Sequence, residues 1–134
     1  MKIALCIDDD NGMMFNKRRQ SRDSELIKDL ISLAGERKIL ISPFSEILFS
    51  GYKDSITVCD DPVGAAGDED ICFIENIEPS VFEDKISGII LYRWNRRYPS
   101  DMKLSIDISG YKLKEQTEFP GSSHEKITRE EYVK

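Results

Sequence analysis

One histidine, one tryptophan and three cysteines are all that this 134-residue chain holds of the side chains most used in metal, stacking and thiol chemistry. Cys6, Cys59 and Cys72 stand singly in apolar runs without C-x-x-C spacing, and an odd number argues against a disulfide framework. They read as buried free thiols of a reducing compartment. With His124 as the only histidine, no cluster of histidines and carboxylates is available for a two-zinc hydrolase. Long apolar runs are missing as well. Asp8, Asp9 and Asp10 interrupt the first one at once, so neither a signal peptide nor a membrane span is expected, and the protein is placed in the cytoplasm. Positive charge is short: the formal net charge of −6 disfavours nonspecific nucleic-acid binding, which needs a positive field over the phosphates. No complete catalytic or cofactor motif, internal repeat or linker is found, and no cofactor or metal is assigned.

What is present fits one α/β domain spanning residues 1–134, with 40% apolar and 33% charged residues. Lys2 to Ile7 is a continuous apolar run, as in a strand covered on both faces. Asp8 to Gly12 stops it with turn chemistry, and the aspartates read as a solvated turn rather than a cation site. Asn11 to Asp23 reads as a basic loop with two exposed methionines. Ser21, Asp23 or Ser24 then caps an amphipathic helix with Leu26, Ile27, Leu30, Ile31 and Ala34 on one face, stopped at Gly35. Lys38 to Ser42, Ser55 to Cys59, Ile71 to Ile74 and Gly88 to Trp94 are further strands, separated by short helices beginning at Pro43 and Pro79. Asp61 to Gly67 is a helical turn or a loop. Met102 to Ile108 alternates as a strand, Leu113 to Phe119 is extended, and Lys126 to Tyr132 closes the chain. Strands separated by helices early and joined directly late predict a mostly parallel central sheet flanked by helices, with an antiparallel C-terminal edge.

Three stretches carry candidate binding residues. Lys17, Arg18, Arg19 and Arg22 precede Asp23 and could clamp a phosphate or carboxylate, since the guanidinium fork matches both. Arg93, Arg96 and Arg97 interleave with Tyr92, Trp94 and Tyr98, a pattern suited to base stacking or a protein hot spot. Phe119 to Lys126 is a small-residue loop presenting Ser122, Ser123 and His124. A hydrolytic use of that loop needs an orienting carboxylate and an oxyanion hole, and Glu125 points away if the segment is extended. His124 therefore reads as a hydrogen-bonding loop residue.

The order of elements resembles dihydrofolate reductase. Gly12-Met13-Met14 follows the first strand as that family's glycine-methionine loop does. Asp23, with Lys28 five residues on, matches the family's substrate-binding acid at the start of the first long helix. Val81-Phe82, Lys85 and Ile89 to Tyr92 are similar to the last cofactor-side helix and its strand, and Tyr111 to Phe119 to the penultimate strand. Two features depart from the pattern. Glu75-Asn76 stands where the family has a paired glycine turn against the cofactor pyrophosphate, and a carboxylate there repels a diphosphate. Ser42-Pro43 replaces a glycine and a basic residue, and proline removes a backbone donor. The chain also resembles short bacterial proteins labelled ribonuclease Z, whose zinc chemistry its single histidine does not support.

In a reductase-like sheet the loops after the first, fifth and penultimate strands gather on one edge, bringing the three candidate stretches together. The resemblance thus implies a binding protein that has lost the cofactor site, taking an anionic or nucleotide-like small molecule or an acidic protein partner. One form of that reading is an immunity factor that neutralises a toxin. The competing class is a divergent pterin or nucleotide reductase.

Overall fold

Alternate residues of the first strand, β1 (Lys2–Ile7), enter two different cores. Ile3, Leu5 and Ile7 belong to one cluster and Ala4 to the other, with none of the four exposed to solvent. That two-sided burial is why the segment is apolar at every position rather than at every second one. In the computed structural model, which describes residues 1–134, β1 is central in a seven-stranded sheet. The remaining strands of that sheet are β4 (Ile39–Ile41), β5 (Ile56–Val58), β6 (Ile71–Phe73), β7 (Gly88–Arg93), β9 (Lys112–Phe119) and β10 (Ile127–Val133). They lie in the order β5-β4-β6-β1-β7-β10-β9. The first five run parallel, while β10 is antiparallel to both β7 and β9, with an irregularity at Glu131/Tyr132.

Helix α1 (Ser24–Ala34) covers one face and buries Leu26, Ile27, Leu30 and Ala34, a stripe at helical spacing, against Phe49, Phe73, Ile90 and Tyr92. Truncating a buried leucine such as Leu30 in a packed face of this kind costs roughly 2–5 kcal/mol. Gly35 ends the helix at φ 63°, and its N–H donates back to Ile31 and Ser32 carbonyls. The Pro43–Phe49 and Pro79–Lys85 segments are 3₁₀ helices, and Pro62–Ala65 forms one short α-turn, α2.

Two expectations are corrected. The Asn11–Asp23 stretch is not an open loop: β2 (Gly12–Phe15) and β3 (Arg18–Arg19) form a hairpin that pairs with β8 (Met102–Lys103) in a second, three-stranded sheet. Asn16 and Lys17 both take positive φ, 51° and 61°, as a two-residue type I′ hairpin turn requires. The hairpin lays Met13 and Met14 onto the core, 5% and 3% exposed, so these methionines are structural. Met102 to Ile108 forms only that two-residue strand. Leu104, Ile106 and Ile108 still pack on the core, which accounts for the alternating pattern without a ladder. The free edge of β7 is already occupied by β10. No helix is long and apolar enough to cross a membrane.

Candidate functional site

Asp8, read from the sequence as part of a solvated turn, is instead 1% exposed and ties the first candidate stretch to the second, at Tyr98. Its Oδ1 accepts the N–H groups of Asp10 (2.9 Å) and Gly12 (2.7 Å), and its Oδ2 those of Tyr98 (3.0 Å) and the Gln20 side chain (3.3 Å). Burial alone would raise its pKa, but these donors outweigh it and hold the carboxyl below its ordinary value. Asp9 N–H donates to the Arg96 carbonyl alongside. Gly12 is required here, because a Cβ would lie 2.5 Å from Ser100 Cβ.

Asp23 joins the other pair of loops. As N-cap of α1 it accepts from Glu25 and Leu26 N–H, and its carbonyl takes Ile27 N–H. The Ser122 hydroxyl accepts the remaining Ser24 N–H at 2.9 Å, so each of the first four helix donors has a partner. The same carboxylate accepts the backbone N–H groups of Ser122 (2.9 Å) and Ser123 (2.8 Å) and His124 Nδ1–H (3.1 Å). Burial opposes its ionisation, yet these backbone donors, with His124 and the Ser122 hydroxyl, hold it far below the usual carboxylate range. An ionised carboxylate only accepts, so the imidazole carries a proton on Nδ1, and in the neutral ring Nε2 is then the acceptor. The Tyr98 hydroxyl lies 2.7 Å from Nε2 and the Ser21 hydroxyl 3.3 Å from it. Trp94 stacks on the ring, centroids 4.6 Å apart at 20°.

The resemblance made Asp23 a ligand-facing acid. The residue does line the cleft, but its side chain is 0% exposed and both oxygens accept donors from the chain itself. The orienting carboxylate absent beside His124 in sequence is thus supplied from 101 residues away.

The basic residues do not converge as an open anion clamp. Arg19 makes a two-pronged pair with Glu75 (2.8 and 3.0 Å), donates to the Phe44 carbonyl and lies over the Phe44 ring. Glu75 also accepts from Ser45 at 2.6 Å, so this carboxylate is neutralised within the chain. Arg97 pairs with Asp10 at 3.1 Å, and Arg96 lies over the Tyr98 ring. Arg93 sits on the opposite face of the sheet from Trp94 and pairs with Glu130 at 2.8 Å, apart from the other candidates. Lys17, Arg18 and Arg22 are exposed on the hairpin and its exit, and none has a carboxylate partner.

Between the hairpin and α1 lies a narrow cleft of about 20 Å³, room for a single water, that opens to solvent. Its floor is Cys6, Phe73, Ile74 and Trp94, from the carboxyl ends of β1, β6 and β7, and its walls are Met13, Leu26, Ile27 and Leu48. Arg19, Gln20, Ser21, Arg22 and Glu75 supply its polar groups. The chain passes from β1 to strands on one side and later to β7 on the other, so the cleft sits where open α/β sheets bind ligands. The Gln20 amide donates to Asp8 and Pro99, both acceptors, which leaves its buried Oε1 without a partner. Cys6 is no nucleophile here: burial first, then the charges of Glu75 and Asp23, push its thiol well above the usual range. No group of three or more His, Cys, Asp or Glu side chains is placed to hold a metal ion.

Sequence reasoning missed Gln20, Ser21 and Glu75 as parts of one site. Only the polarity of Gln20-Ser21 beside the arginines could have drawn attention to them.

No family model matches the chain, and no curated protein matches it. Among solved structures, dihydrofolate reductase from Enterococcus faecalis, complexed with NADP(H) and RAB-propyl, superposes with a TM-score of 0.64. The likeness covers 98% of this chain and 94% of that one at 9% sequence identity. At that identity the shared property is the arrangement of the chain: this protein has the dihydrofolate reductase-like fold.

Proposed function

We propose that the chain is a binding protein of reductase-like fold whose cleft takes a small planar ligand, anionic or nucleotide-like, and that hydride transfer is not its work. The observation that carries this is the cleft itself, an apolar slot at the carboxyl ends of three parallel strands with one orphaned acceptor, Gln20 Oε1. A ligand N–H would satisfy that oxygen, the apolar lining of Trp94, Leu26 and Ile27 would pack on its ring, and the exposed Arg22 would meet a phosphate or carboxylate. The pair with Glu75 occupies the Arg19 guanidinium, which is therefore not free to hold a pyrophosphate. The three free thiols suit a reducing, cytoplasmic setting.

Thermal melting with a panel of nucleoside monophosphates and pterins tests the reading. A ligand at a hundred times its dissociation constant stabilises the fold by about 2.7 kcal/mol, and Arg22→Ala and Gln20→Leu should each reduce that gain. NADPH consumption with a dihydropterin would replace this reading with the divergent reductase. The second reading is an acidic protein partner, of which a neutralised toxin is one form. It rests on Lys17, Arg18 and Arg96, exposed cations without carboxylate partners around the same edge.

A further inference from the structure

We propose that Ser21, His124 and Asp23 form a nucleophile, base and orienter, an acyl-transfer site at the lip of the cleft that Tyr98 blocks at rest. The proposal concerns the chemistry of this edge and does not depend on which ligand the cleft takes.

The geometry follows the logic of a hydroxyl nucleophile. Asp23 Oδ2 holds the Nδ1 proton at 3.1 Å, which in the neutral ring leaves the Nε2 lone pair for the hydroxyls beside it, Tyr98 and, at 3.3 Å, Ser21. The imidazole is 2% exposed and stacked on Trp94, so its orientation is fixed by packing. Ser21 is only partly buried and lines the cleft, which gives the hydroxyl access that the base lacks.

The neighbouring serines are excluded by their own bonds. Ser122 Oγ donates to Asp23 and accepts from Ser24, and Ser123 Oγ donates to the Arg22 carbonyl at 2.6 Å. Both stand on the Asp23 side of the ring, away from the basic nitrogen.

Two further features suit acyl chemistry. The backbone N–H groups of Arg22 and Asp23, directly after the nucleophile, donate to nothing within the chain. Donors in that position stabilise the oxyanion of a tetrahedral intermediate. The apolar wall of Cys6, Leu26, Ile27 and Trp94 receives the acyl part of an ester. Ser21 Oγ attacks the carbonyl carbon, and its proton passes to Nε2. The carbon–alkoxide bond breaks, and the leaving alcohol takes that proton. Water then attacks the acyl-serine, its proton passing to Nε2, and the carbon–Oγ bond breaks as Nε2 returns the proton to Ser21. The sum is ester plus water to acid plus alcohol.

Tyr98 competes for the same lone pair. Its hydroxyl is closer to Nε2, 2.7 Å against 3.3 Å, and a neutral imidazole nitrogen accepts one strong hydrogen bond at a time. Removing the phenol leaves Ser21 as the only hydroxyl on the base.

The experiment treats the full chain with diisopropyl fluorophosphate and reads the site of modification by peptide mass mapping. The rate is measured for wild type and for Ser21→Ala, Tyr98→Phe and His124→Gln. The expected result is one diisopropylphosphoryl group on Ser21, absent in Ser21→Ala, faster in Tyr98→Phe and at least about a hundredfold slower in His124→Gln. Labelling of Ser21 in Tyr98→Phe alone supports the blocked resting state. Melting curves and circular dichroism identify any variant that fails to fold, and Ser21→Ala with Tyr98→Phe decide the matter if His124→Gln does. Modification at another residue, unchanged in Ser21→Ala, overturns the proposal. So does a Tyr98→Phe protein that folds and stays unmodified.

Discussion

His124 Nδ1 donates to Asp23 Oδ2 at 3.1 Å across 101 residues of chain, and neither side chain is more than 2% exposed. This contact seals the C-terminal loop onto the N-terminus of α1 and draws in Tyr98 from a third loop. The helix cap, the loop and the histidine ring are therefore one cooperative unit. Gly121 makes the closure possible, since a Cβ there would lie 2.4 Å from Asp23 Oδ2 and 2.9 Å from the His124 carbonyl.

Asp23→Ala removes the cap, frees the part-buried N–H groups of Ser122 and Ser123 to water and orphans the buried His124 Nδ1. A lost cap costs about 1 kcal/mol, and buried donors left unpaired cost about 1–3 kcal/mol more each. The expected destabilisation is roughly 2–4 kcal/mol, read from urea unfolding midpoints. A loss within 1 kcal/mol would show that the loop relaxes to water without penalty.

The same carboxylate sets the acid response. The folded pKa of Asp23 is depressed, so its contribution is fully present above the unfolded value of about 4 and is lost as pH falls toward the folded value. Asp8, depressed by its own donors, acts in the same direction. Urea midpoints should be flat near neutrality and fall steadily below about pH 4. Asp23→Asn, which cannot ionise, should flatten the acid limb, and an unchanged slope would remove Asp23 as its source.

Only Cys72 is buried as the sequence led one to expect; Cys6 and Cys59 are partly exposed, and all three thiols should be slow in the native state. Burial pushes Cys72 up to about 11, Cys6 rises well above its usual value, and burial with the nearby charges of Asp60 and Asp61 raises Cys59. Iodoacetamide at pH 8 should spare Cys72 in the native protein, react slowly at the partly exposed Cys59 and alkylate three sites in urea. Rapid native alkylation at Cys6, which lines the cleft, would mean that the cleft opens far more than its packing suggests.

The fold was largely readable because its signals are local. β1 and β7 announce themselves by unbroken apolar runs, α1 by its stripe and its caps. The hairpin was misread because Asn16-Lys17 lacks the glycine that usually marks a type I′ turn, although asparagine tolerates that conformation well. The site was legible only as three separate stretches. Sequence reveals charge, and arginines in a row suggest an anion; it does not reveal that Glu75, Asp10 and Glu130 answer three of them in space. The Asp23–His124 contact lies beyond any spacing rule, because the topology alone brings those two loops together.

The pairing of Arg19 with Glu75 yields the sharpest test of the binding reading. The pair is bidentate, with the two side chains 22% and 9% exposed, and it lines the cleft. A charge-assisted fork of this kind couples by roughly 1–2 kcal/mol in a double-mutant cycle of Arg19→Met and Glu75→Gln. Glu75→Gln keeps the shape of the residue and its hydrogen bond with Ser45 while removing the charge that occupies the guanidinium. If the cleft takes an anion, its affinity should then rise by about tenfold, which corresponds to 1.4 kcal/mol, although the fold itself is weakened. Titration calorimetry with the best nucleotide from the melting panel measures this directly. An affinity that falls in step with stability would place the anion elsewhere on the edge and leave Arg19 a purely structural residue.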